Sequence, residues 1–207
     1  SMKALLINGS PRERGCTYTA LSELAQTLEA EGIETELIQA GARTTHGCIA
    51  CGKCRETGKC VFDDVVNETA PKLAEADALV IGAPVYYASP AGGAISFMDR
   101  LFYSTCIDMT MKVGAAVVSC RRGGNTASFD VLNKYFTIYN MPVVSSSYWN
   151  GVHGNTPEEV VQDLEGMQVM KNLGKNMAWL LKCIEAGKQA GISHPEPAPQ
   201  VKTNFIR

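Results

Sequence analysis

Short apolar runs alternate along the chain with segments whose apolar residues recur every three or four positions. A run stopped by turn-forming residues is typical of a strand buried on both faces of a parallel sheet, whereas the three-to-four spacing indicates one apolar face of a helix. These patterns predict strands at 3–8, 33–38, 78–82, 113–119 and 142–145. They predict helices around the apolar positions of 21–28, 65–75, 95–102, 129–139 and 158–185.

Strands that alternate with helices in this way predict an α/β fold: a doubly wound, five-stranded parallel sheet with helices on both faces. Ligands of such sheets bind beyond the carboxyl ends of the strands, where the strand order reverses. Three segments directly follow a predicted strand, at 9–17, 84–90 and 120–125. We therefore expect these segments to form the ligand-binding loops.

The 207 residues suit one domain better than two, since a domain typically has about 100–200 residues. We predict a single domain at 1–190, with a cysteine-rich loop at 46–62 that shows no sustained periodicity. The remaining segment, 191–207, contains Pro195, Pro197 and Pro199. Because proline disfavours helices and central strands, this segment is predicted to be an extended arm.

Charge composition argues against two classes of partner. The chain has 19 Lys and Arg against 21 Asp and Glu, a net charge of -2, and shows no basic stripe that would attract a polyanion. We therefore expect neither nucleic acid nor an anionic membrane surface as a partner. Apolar runs fall short of the roughly 20 residues of a membrane span, and the chain opens on a strand-like segment rather than a signal peptide, so a cytoplasmic protein is expected.

The first loop has the chemistry of a phosphate site. It runs from Gly9 to Thr17 into a helix N-terminus, whose free backbone N–H groups and positive dipole end favour an anion. Ser10 and Thr17 supply hydroxyl groups, and Arg12 and Arg14 supply positive charge. The glycine spacing is neither that of a triphosphate loop nor that of a dinucleotide turn, which favours a monophosphate. The alternative is a plain turn in which Thr17 caps the helix.

Two segments resemble those of a known family. Asn8-Gly-Ser-Pro-Arg12 followed by Gly15-Cys-Thr17, and Gly82-Ala-Pro-Val-Tyr-Tyr-Ala-Ser-Pro90, are similar to the flavin-binding segments of the NADPH-dependent FMN reductase family. The resemblance implies a flavodoxin-like fold with strand order 2-1-3-4-5 and FMN as the cofactor. It also implies NAD(P)H as the cosubstrate and a homodimer or homotetramer as the assembly.

The same resemblance assigns the cofactor contacts. The first loop would hold the FMN phosphate with Ser10, Arg12, Gly15, Cys16 and Thr17. The loop after the third strand would meet the flavin ring with Pro84, Val85, Tyr86 and Tyr87. The third loop adds Cys120, Arg121 and Gly123, where an arginine would face the flavin or the nicotinamide phosphate. Alternatively, the tyrosines are ordinary packing residues at a strand end and the arginines ordinary surface residues.

Four of the eight cysteines fall in one loop, as Cys48, Cys51, Cys54 and Cys60. Cysteines at successive spacings of three wrap one corner of a [4Fe–4S] cluster in bacterial ferredoxins, and Cys60 is the candidate fourth ligand here. The compact spacing also resembles that of the iron-sulfur flavoprotein branch of the same family. Zinc is an alternative, although structural zinc sites usually set two ligand pairs apart, and free thiols without a metal are another.

These features together predict an FMN-dependent NAD(P)H oxidoreductase. Its electrons would pass to a quinone, a flavin, a nitro compound or a protein acceptor, with a [4Fe–4S] cluster as a candidate intermediate carrier. The flavin supplies the chemistry, so no catalytic side chain is assigned. Two alternatives are a flavodoxin-like electron carrier without a substrate of its own and a zinc-stabilised interaction module.

Overall fold

The structure is a computed structural model that describes residues 1–205. Its strands are β1 (Lys3–Asn8), β2 (Glu34–Gln39), β3 (Ala78–Tyr86), β4 (Ser89–Pro90), β5 (Val113–Cys120) and β6 (Gly151–His153). Its helices are α1 (Cys16–Ala30), α2 (Cys54–Thr57), α3 (Val65–Glu75), α4 (Gly92–Ser104), α5 (Asn125–Thr137), α6 (Pro157–Val160) and α7 (Leu164–Gln189). Across the described residues, strands and helices alternate as the hydrophobic pattern predicts.

The sheet has the order β2-β1-β3-β5-β6, and all four contacts along this path are parallel. Numbered along the chain without the two-residue β4, these five strands have the predicted order 2-1-3-4-5, which is confirmed. Strand β4 pairs antiparallel with the end of β3 and lies outside the main path. The strand order reverses between β1 and β3, so their carboxyl ends form the expected position for a ligand.

The predicted last strand at 142–145 is wrong. In this segment Val143 makes only an isolated bridge to Gly114, and the edge strand is β6, where Gly151 pairs with Val118. The carbonyl of Pro142 accepts a hydrogen bond from the Gly114 amide, and the chain then leaves the sheet until β6. A strand of three residues is too short to show an alternating pattern, so its position could not be read from hydrophobicity.

The predicted helix at 158–185 is two helices, α6 and α7. Asp163 breaks the run, since its side chain accepts hydrogen bonds from the Gly166 amide, as an N-cap does, and from the His153 amide. The apolar spacing continues across the break because Val160 and Met167 pack into the same core. Hydrophobic periodicity therefore indicates which face of the two helices is buried, but it does not reveal the N-cap at Asp163 that separates them.

Two apolar layers cover the sheet. On one face, Leu6 and Val80 pack with α1 and α7, and on the other, Leu5 and Leu79 pack with α3, α4 and α5. Alternate residues of the central strands thus enter opposite layers. The loops at the carboxyl ends of the strands lie outside these two apolar layers.

Residues 191–205 contain no helix or strand and are exposed. The rest of the predicted arm, residues 206 and 207, lies outside the described residues, and the division into a domain at 1–190 and an arm stays a prediction. Within residues 1–205, no helix combines the length and the apolar character needed to cross a bilayer.

Candidate functional site

A cleft lies at the carboxyl ends of β1, β3 and β5. Its wall brings together residues from the three loops that follow these strands and from the loop after β6: Ser10, Arg12, Cys16, Thr17, Pro84, Val85, Tyr86, Ser119, Cys120, Arg121, Gly154 and Asn155. Parallel strands place their carboxyl ends at one edge of the sheet, which is why segments over 100 residues apart in sequence meet here.

The buried side chain of Asn8 shapes the first loop. Its Oδ1 accepts a hydrogen bond from the Ser10 amide at 3.0 Å, and its Nδ2 donates to the carbonyls of Arg12 and Glu13 at 3.2 and 3.1 Å. The Gly9 amide donates to the Gly82 carbonyl at 2.7 Å, which ties the loop to β3. The Asn8 side chain and the hydrogen bond to β3 therefore fix the loop conformation on its buried side, and the opposite side of the loop faces the cleft.

Helix α1 begins at this loop with no side-chain cap. The N-cap residue is Gly15, in an extended conformation. Because glycine has no side chain, no side-chain hydrogen bond caps the first turn. Thr17 lies inside the helix, where its hydroxyl shares a 2.8 Å hydrogen bond with the Ser119 hydroxyl, so the alternative in which Thr17 caps the helix is wrong. The first-turn amides and the positive helix end, beside Arg12, are suited to an anionic group.

The second loop is a tight hairpin between β3 and β4. Tyr86 pairs with Ser89, and the two residues between them, Tyr87 and Ala88, have φ of +51° and +57°. Two central residues with positive φ define a type I′ turn, a conformation that Asn and Gly adopt far more readily than Tyr and Ala. The turn places Tyr86 in the cleft wall and leaves the Tyr87 side chain fully exposed.

The third loop packs against the tip of this hairpin. Gly124 has φ of +85°, and a Cβ atom at this position would lie 2.7 Å from the Cα atom of Ala88. Only glycine permits this approach, so the third loop and the hairpin are positioned together. Gly123, by contrast, has open space around its Cα atom.

Two thiols in the cleft wall are held neutral. Burial raises the pKa of the Cys16 thiol and that of the Cys120 thiol. The Cys16 thiol also lies 3.8 Å from the Gly154 carbonyl, to which it donates a weak hydrogen bond. These two cysteines therefore contribute shape and backbone groups to the cleft rather than charge.

The four clustered cysteines surround a second, small cavity beside α4. Its wall includes Cys48, Cys51, Cys54, Cys60, Phe62, Arg100 and Tyr103. The backbone bends sharply at Ala50 and Gly52, whose φ angles are +54° and +72°, and the Ala50 amide donates to the Cys48 sulfur at 3.4 Å. These bends turn the first three cysteines toward one space.

The donor set of this cavity is that of a metal group held by cysteine. Within residues 1–205, no three His, Cys, Asp or Glu side chains are grouped as the ligands of a single metal ion. The four cysteines lie in the wall of one cavity, and cysteine thiolates are the ligands of both iron-sulfur clusters and structural zinc sites. The cluster and its zinc alternative therefore both stay predictions.

A buried ion pair closes the base of the cysteine loop. Arg100 of α4 is 1% exposed, and its guanidinium donates to both carboxylate oxygens of Asp64, at 2.8 and 2.9 Å. Burial alone would raise the pKa of Asp64, but hydrogen bonds from Arg100, from Thr45 and from the Val66 amide outweigh it and lower this pKa to about 2. Asp64 is therefore ionised at neutral pH and is also the N-cap of α3.

An aromatic groove of about 520 Å³ lies on the other side of Cys48. Its wall contains Phe102, Tyr103, Tyr135 and Tyr139, and it shares Cys48 and Tyr103 with the cysteine cavity. The Tyr135 hydroxyl donates to the Asp99 carboxylate, and burial together with this carboxylate raises the Tyr135 pKa. The groove thus gives access to one edge of the cysteine loop through mostly apolar surface, with the charged side chains of Asp99 and Lys134 in its wall.

Comparison with known sequences identifies the family. Residues 2–156 match the NADPH-dependent FMN reductase family. The chain belongs to this family. An iron-sulfur flavoprotein of Methanocaldococcus jannaschii is 33% identical over 192 residues, which cover 89% of this chain and 100% of that protein. An iron-sulfur flavoprotein of Methanosarcina thermophila is 29% identical over 192 residues, which cover 90% and 99% of the two chains. The predicted family and its iron-sulfur branch are thereby confirmed.

Solved structures show the fold of this FMN reductase family member. RosB, in complex with 8-demethyl-8-formylriboflavin-5'-phosphate, matches with a TM-score of 0.70 at 16% identity, over 100% of this chain and 93% of RosB. A flavodoxin from the domain Archaea matches with a TM-score of 0.60 at 18% identity, over 87% of this chain and 99% of the flavodoxin. The predicted flavodoxin-like α/β fold is confirmed.

Most of the predicted FMN contacts of this family member meet in the cleft. Among the described residues, three of the predicted contacts do not line it: Gly15, which is the N-cap of α1, Tyr87 at the hairpin tip, and Gly123. Gly15 and the hairpin nevertheless position neighbours that do line it. The roles assigned to all of these residues stay predictions.

Sequence reasoning missed three residues of the cleft wall, Ser119, Gly154 and Asn155. Ser119 is the last residue but one of β5, one position before the third loop as it was defined. Gly154 and Asn155 directly follow β6, and the misplaced fifth strand hid them. The rule that loops after parallel strands bind ligands would have found both, given the correct strand.

Proposed function

We propose that this chain is an FMN-dependent oxidoreductase that accepts a hydride from NADH or NADPH and passes electrons to a second acceptor. The observation that carries the proposal is the cleft at the carboxyl ends of β1, β3 and β5, where the three loops predicted to bind flavin meet. Family membership supports the same conclusion, because the family is described by FMN reduction with NADPH.

The residues present fit a flavin mononucleotide. Phosphate would be held by the uncapped first turn of α1, by the positive charge of Arg12, and by the hydroxyls of Ser10 and Thr17, with Gly15 and Cys16 supplying backbone. The ring would lie along Pro84, Val85 and Tyr86, with the Tyr87 turn holding this edge. Cys120, Arg121 and Gly123 would border the ring or the incoming nicotinamide.

When bound, FMN supplies hydride acceptance and one-electron or two-electron release. The chain contributes binding and orientation. Backbone N–H groups that follow Pro84 are suited to donate to the polar edge of the ring, and a donor there stabilises negative charge on a reduced flavin. Acid–base catalysis by a side chain is not needed for hydride transfer, which agrees with the neutral thiols of Cys16 and Cys120 in the wall.

Cys48, Cys51, Cys54 and Cys60 would hold a [4Fe–4S] cluster, which carries electrons one at a time. Their shared cavity and the names of the iron-sulfur flavoprotein relatives support this part of the proposal. The protein could then reduce acceptors that take one electron at a time as well as acceptors that take two. The proposed classes of acceptor are a quinone, a free flavin, a nitro compound and a protein.

Anaerobic absorbance spectra of the purified chain test the flavin. We expect flavin bands, directly or after addition of FMN, that bleach when NADH or NADPH is added. Riboflavin, which lacks the phosphate, should bind much more weakly than FMN. A chain that shows no flavin band before or after FMN addition would contradict the proposal.

The cluster is tested separately, by iron and acid-labile sulfide assays after anaerobic reconstitution. Four free thiols in the 46–62 loop, with no bound iron, would end the cluster proposal while leaving the flavin proposal intact.

The second candidate function is a flavodoxin-like electron carrier, favoured by the 0.60 TM-score to a flavodoxin over 99% of that chain. Steady oxidation of NADH or NADPH with menadione or ferricyanide as the acceptor supports the reductase. A single reduction of bound FMN without further turnover supports the carrier.

A further inference from the structure

We propose that Arg100 is a positioning residue for the cysteine loop, one that holds Cys60 in place as the fourth ligand of the iron-sulfur cluster and raises the reduction potential of that cluster. This inference rests on the cluster part of the proposed function. Cys60 needs such support because five residues separate it from Cys54, whereas the backbone bends at Ala50 and Gly52 place the first three cysteines.

Every N–H donor of the Arg100 guanidinium has an acceptor. Nε donates to the Cys60 sulfur at 3.2 Å, and the two Nη atoms donate to both carboxylate oxygens of Asp64. The two remaining bonds run to the carbonyls of His46 and Phe62, at 3.1 and 2.9 Å. Arginine has five such donors in a planar fork, so this set of acceptors matches arginine and no other side chain.

These bonds join the two ends of the cysteine loop. His46 precedes Cys48 by two positions, and Phe62 follows Cys60 by two positions. The His46 and Phe62 rings also stack, with centroids 3.9 Å apart and planes 8° apart, and the Arg100 guanidinium lies 5.4 Å from the Phe62 ring centroid. One side chain from α4 therefore fixes the base of the loop on which all four cysteines are carried.

The Arg100 charge is also placed to act on the cluster. Its side chain is 1% exposed, so water screens its charge little, and Nε faces the sulfur of Cys60 while the Nη atoms face Asp64. Hydrogen bonds to cysteine sulfurs, with local charge and solvent exposure, set the potential of iron-sulfur clusters. A donor stabilises the more negative, reduced form, and its loss should lower the potential.

The test compares R100K and R100Q with the wild-type chain and with R55Q. Arg55 is a suitable control because it lies in the same loop, yet its guanidinium contacts the Tyr103 hydroxyl at 2.8 Å rather than a cysteine. Each full-length chain is reconstituted anaerobically with iron and sulfide. The readouts are iron per chain, the midpoint potential of the cluster from a redox titration followed by electron paramagnetic resonance, and FMN content with circular dichroism as the check on folding.

R100K keeps the positive charge but cannot donate from the Nε position, so it should bind iron and show a lower midpoint potential than wild type. R100Q should lose at least half of the bound iron, and R55Q should match wild type in both readouts. If R100Q fails to fold, the inference is tested by the midpoint potential of the cluster in R100K compared with that in wild type. An unchanged potential in R100K, or an equal shift in R55Q, would overturn the inference alone. A wild-type chain without iron would overturn it together with the proposed cluster.

Discussion

Arg12 and Arg14 are near neighbours in the first loop, but their side chains have different surroundings. Arg12 lines the cleft, whereas Arg14 lies over the ring of Tyr18, with its guanidinium carbon 5.3 Å from the ring centroid. Sequence alone treats the two arginines as equal candidates for a phosphate contact. The structure favours Arg12 as the arginine that would contact the phosphate.

Arg12→Gln should weaken FMN binding by about tenfold to a hundredfold, because a hydrogen bond to a charged group contributes about 1.5–3 kcal/mol. Arg14→Gln, the matched control, should change the affinity by less than about twofold, since Arg14 does not line the cleft and its guanidinium lies over the Tyr18 ring. Titration of the apoprotein, followed by quenching of flavin fluorescence, measures both. Riboflavin should bind equally to wild type and Arg12→Gln, and an equal loss for both flavins would exclude a phosphate contact.

Asp64 gives the stability of the protein a defined pH dependence. Its pKa in the folded chain is about 2, below the ordinary value of 3.8, so its contribution is complete above about pH 5 and is lost as the pH falls through about 2. The shift corresponds to about 2 kcal/mol of stability, at about 1.4 kcal/mol per pKa unit.

Urea denaturation between about pH 6 and pH 2 measures this contribution. The stability advantage of wild type over Asp64→Asn should shrink as the pH falls below about 4. An advantage that stays constant down to about pH 2 would show that the Arg100 pair does not stabilise the ionised carboxylate.

At the scale of elements, the β3–β4 hairpin carries backbone strain next to the cleft. Tyr87 and Ala88 both have positive φ, which costs a non-glycine residue on the order of 1 kcal/mol or more. Ala88→Gly should therefore stabilise the protein by about 1 kcal/mol. Ala127→Gly, on the exposed face of α5, should destabilise it by about the same amount, because there glycine only adds backbone freedom.

Chemical denaturation of the two variants gives the comparison. A loss of stability in Ala88→Gly similar to that in Ala127→Gly would mean that the turn is not strained. FMN affinity measured on the same samples would show whether the flavin-facing edge depends on that strain.

The close approach of α1 and α7 depends on a glycine. By propensity Gly174 should weaken a helix, but a Cβ atom there would lie 2.8 Å from the Thr27 Cβ atom of α1. Gly174→Ala should therefore destabilise the protein by about 1–3 kcal/mol through overpacking, despite the better helix propensity of alanine. Gly187→Ala, in the same helix with its nearest contact at 3.8 Å, should instead be neutral or stabilising by up to about 1 kcal/mol.

Denaturation midpoints of Gly174→Ala and Gly187→Ala distinguish packing from propensity. Equal gains for both would mean that the helices can move apart without cost.

At the scale of the whole molecule, several large apolar side chains are exposed on the surface. Ile138, Trp149 and Trp179 are 77%, 58% and 67% exposed, and the aromatic groove beside Cys48 is open. Such surface is typical of protein contacts. Sedimentation equilibrium should therefore give a mass of two or four chains rather than 22.3 kDa, and a purely monomeric sample at micromolar concentration would contradict the predicted assembly.

The sequence by itself determined the class of fold, the family, most of the order of elements and three of the four loops that meet at the cleft. These features depend on local patterns: apolar runs for strands, three-to-four spacing for helices, and the positions of Gly, Pro and Cys. The helix at Val65–Glu75 has the predicted bounds, and the structure adds that Asp64 caps it.

Only the tertiary structure decided the edge strand β6, the break at Asp163, the exposure of Tyr87 and the place of Arg100. The edge strand and the place of Arg100 depend on partners distant in sequence: Val118 pairs with β6, and Asp64 and Cys60 bind Arg100 from 36 and 40 residues away. The break at Asp163 and the turn at Tyr87 depend on nearby hydrogen bonds and backbone angles that the hydrophobic pattern does not report. A lone arginine among the apolar residues of α4 gives no signal in one sequence. Its burial becomes favourable only when the fold brings a full set of acceptors around its guanidinium.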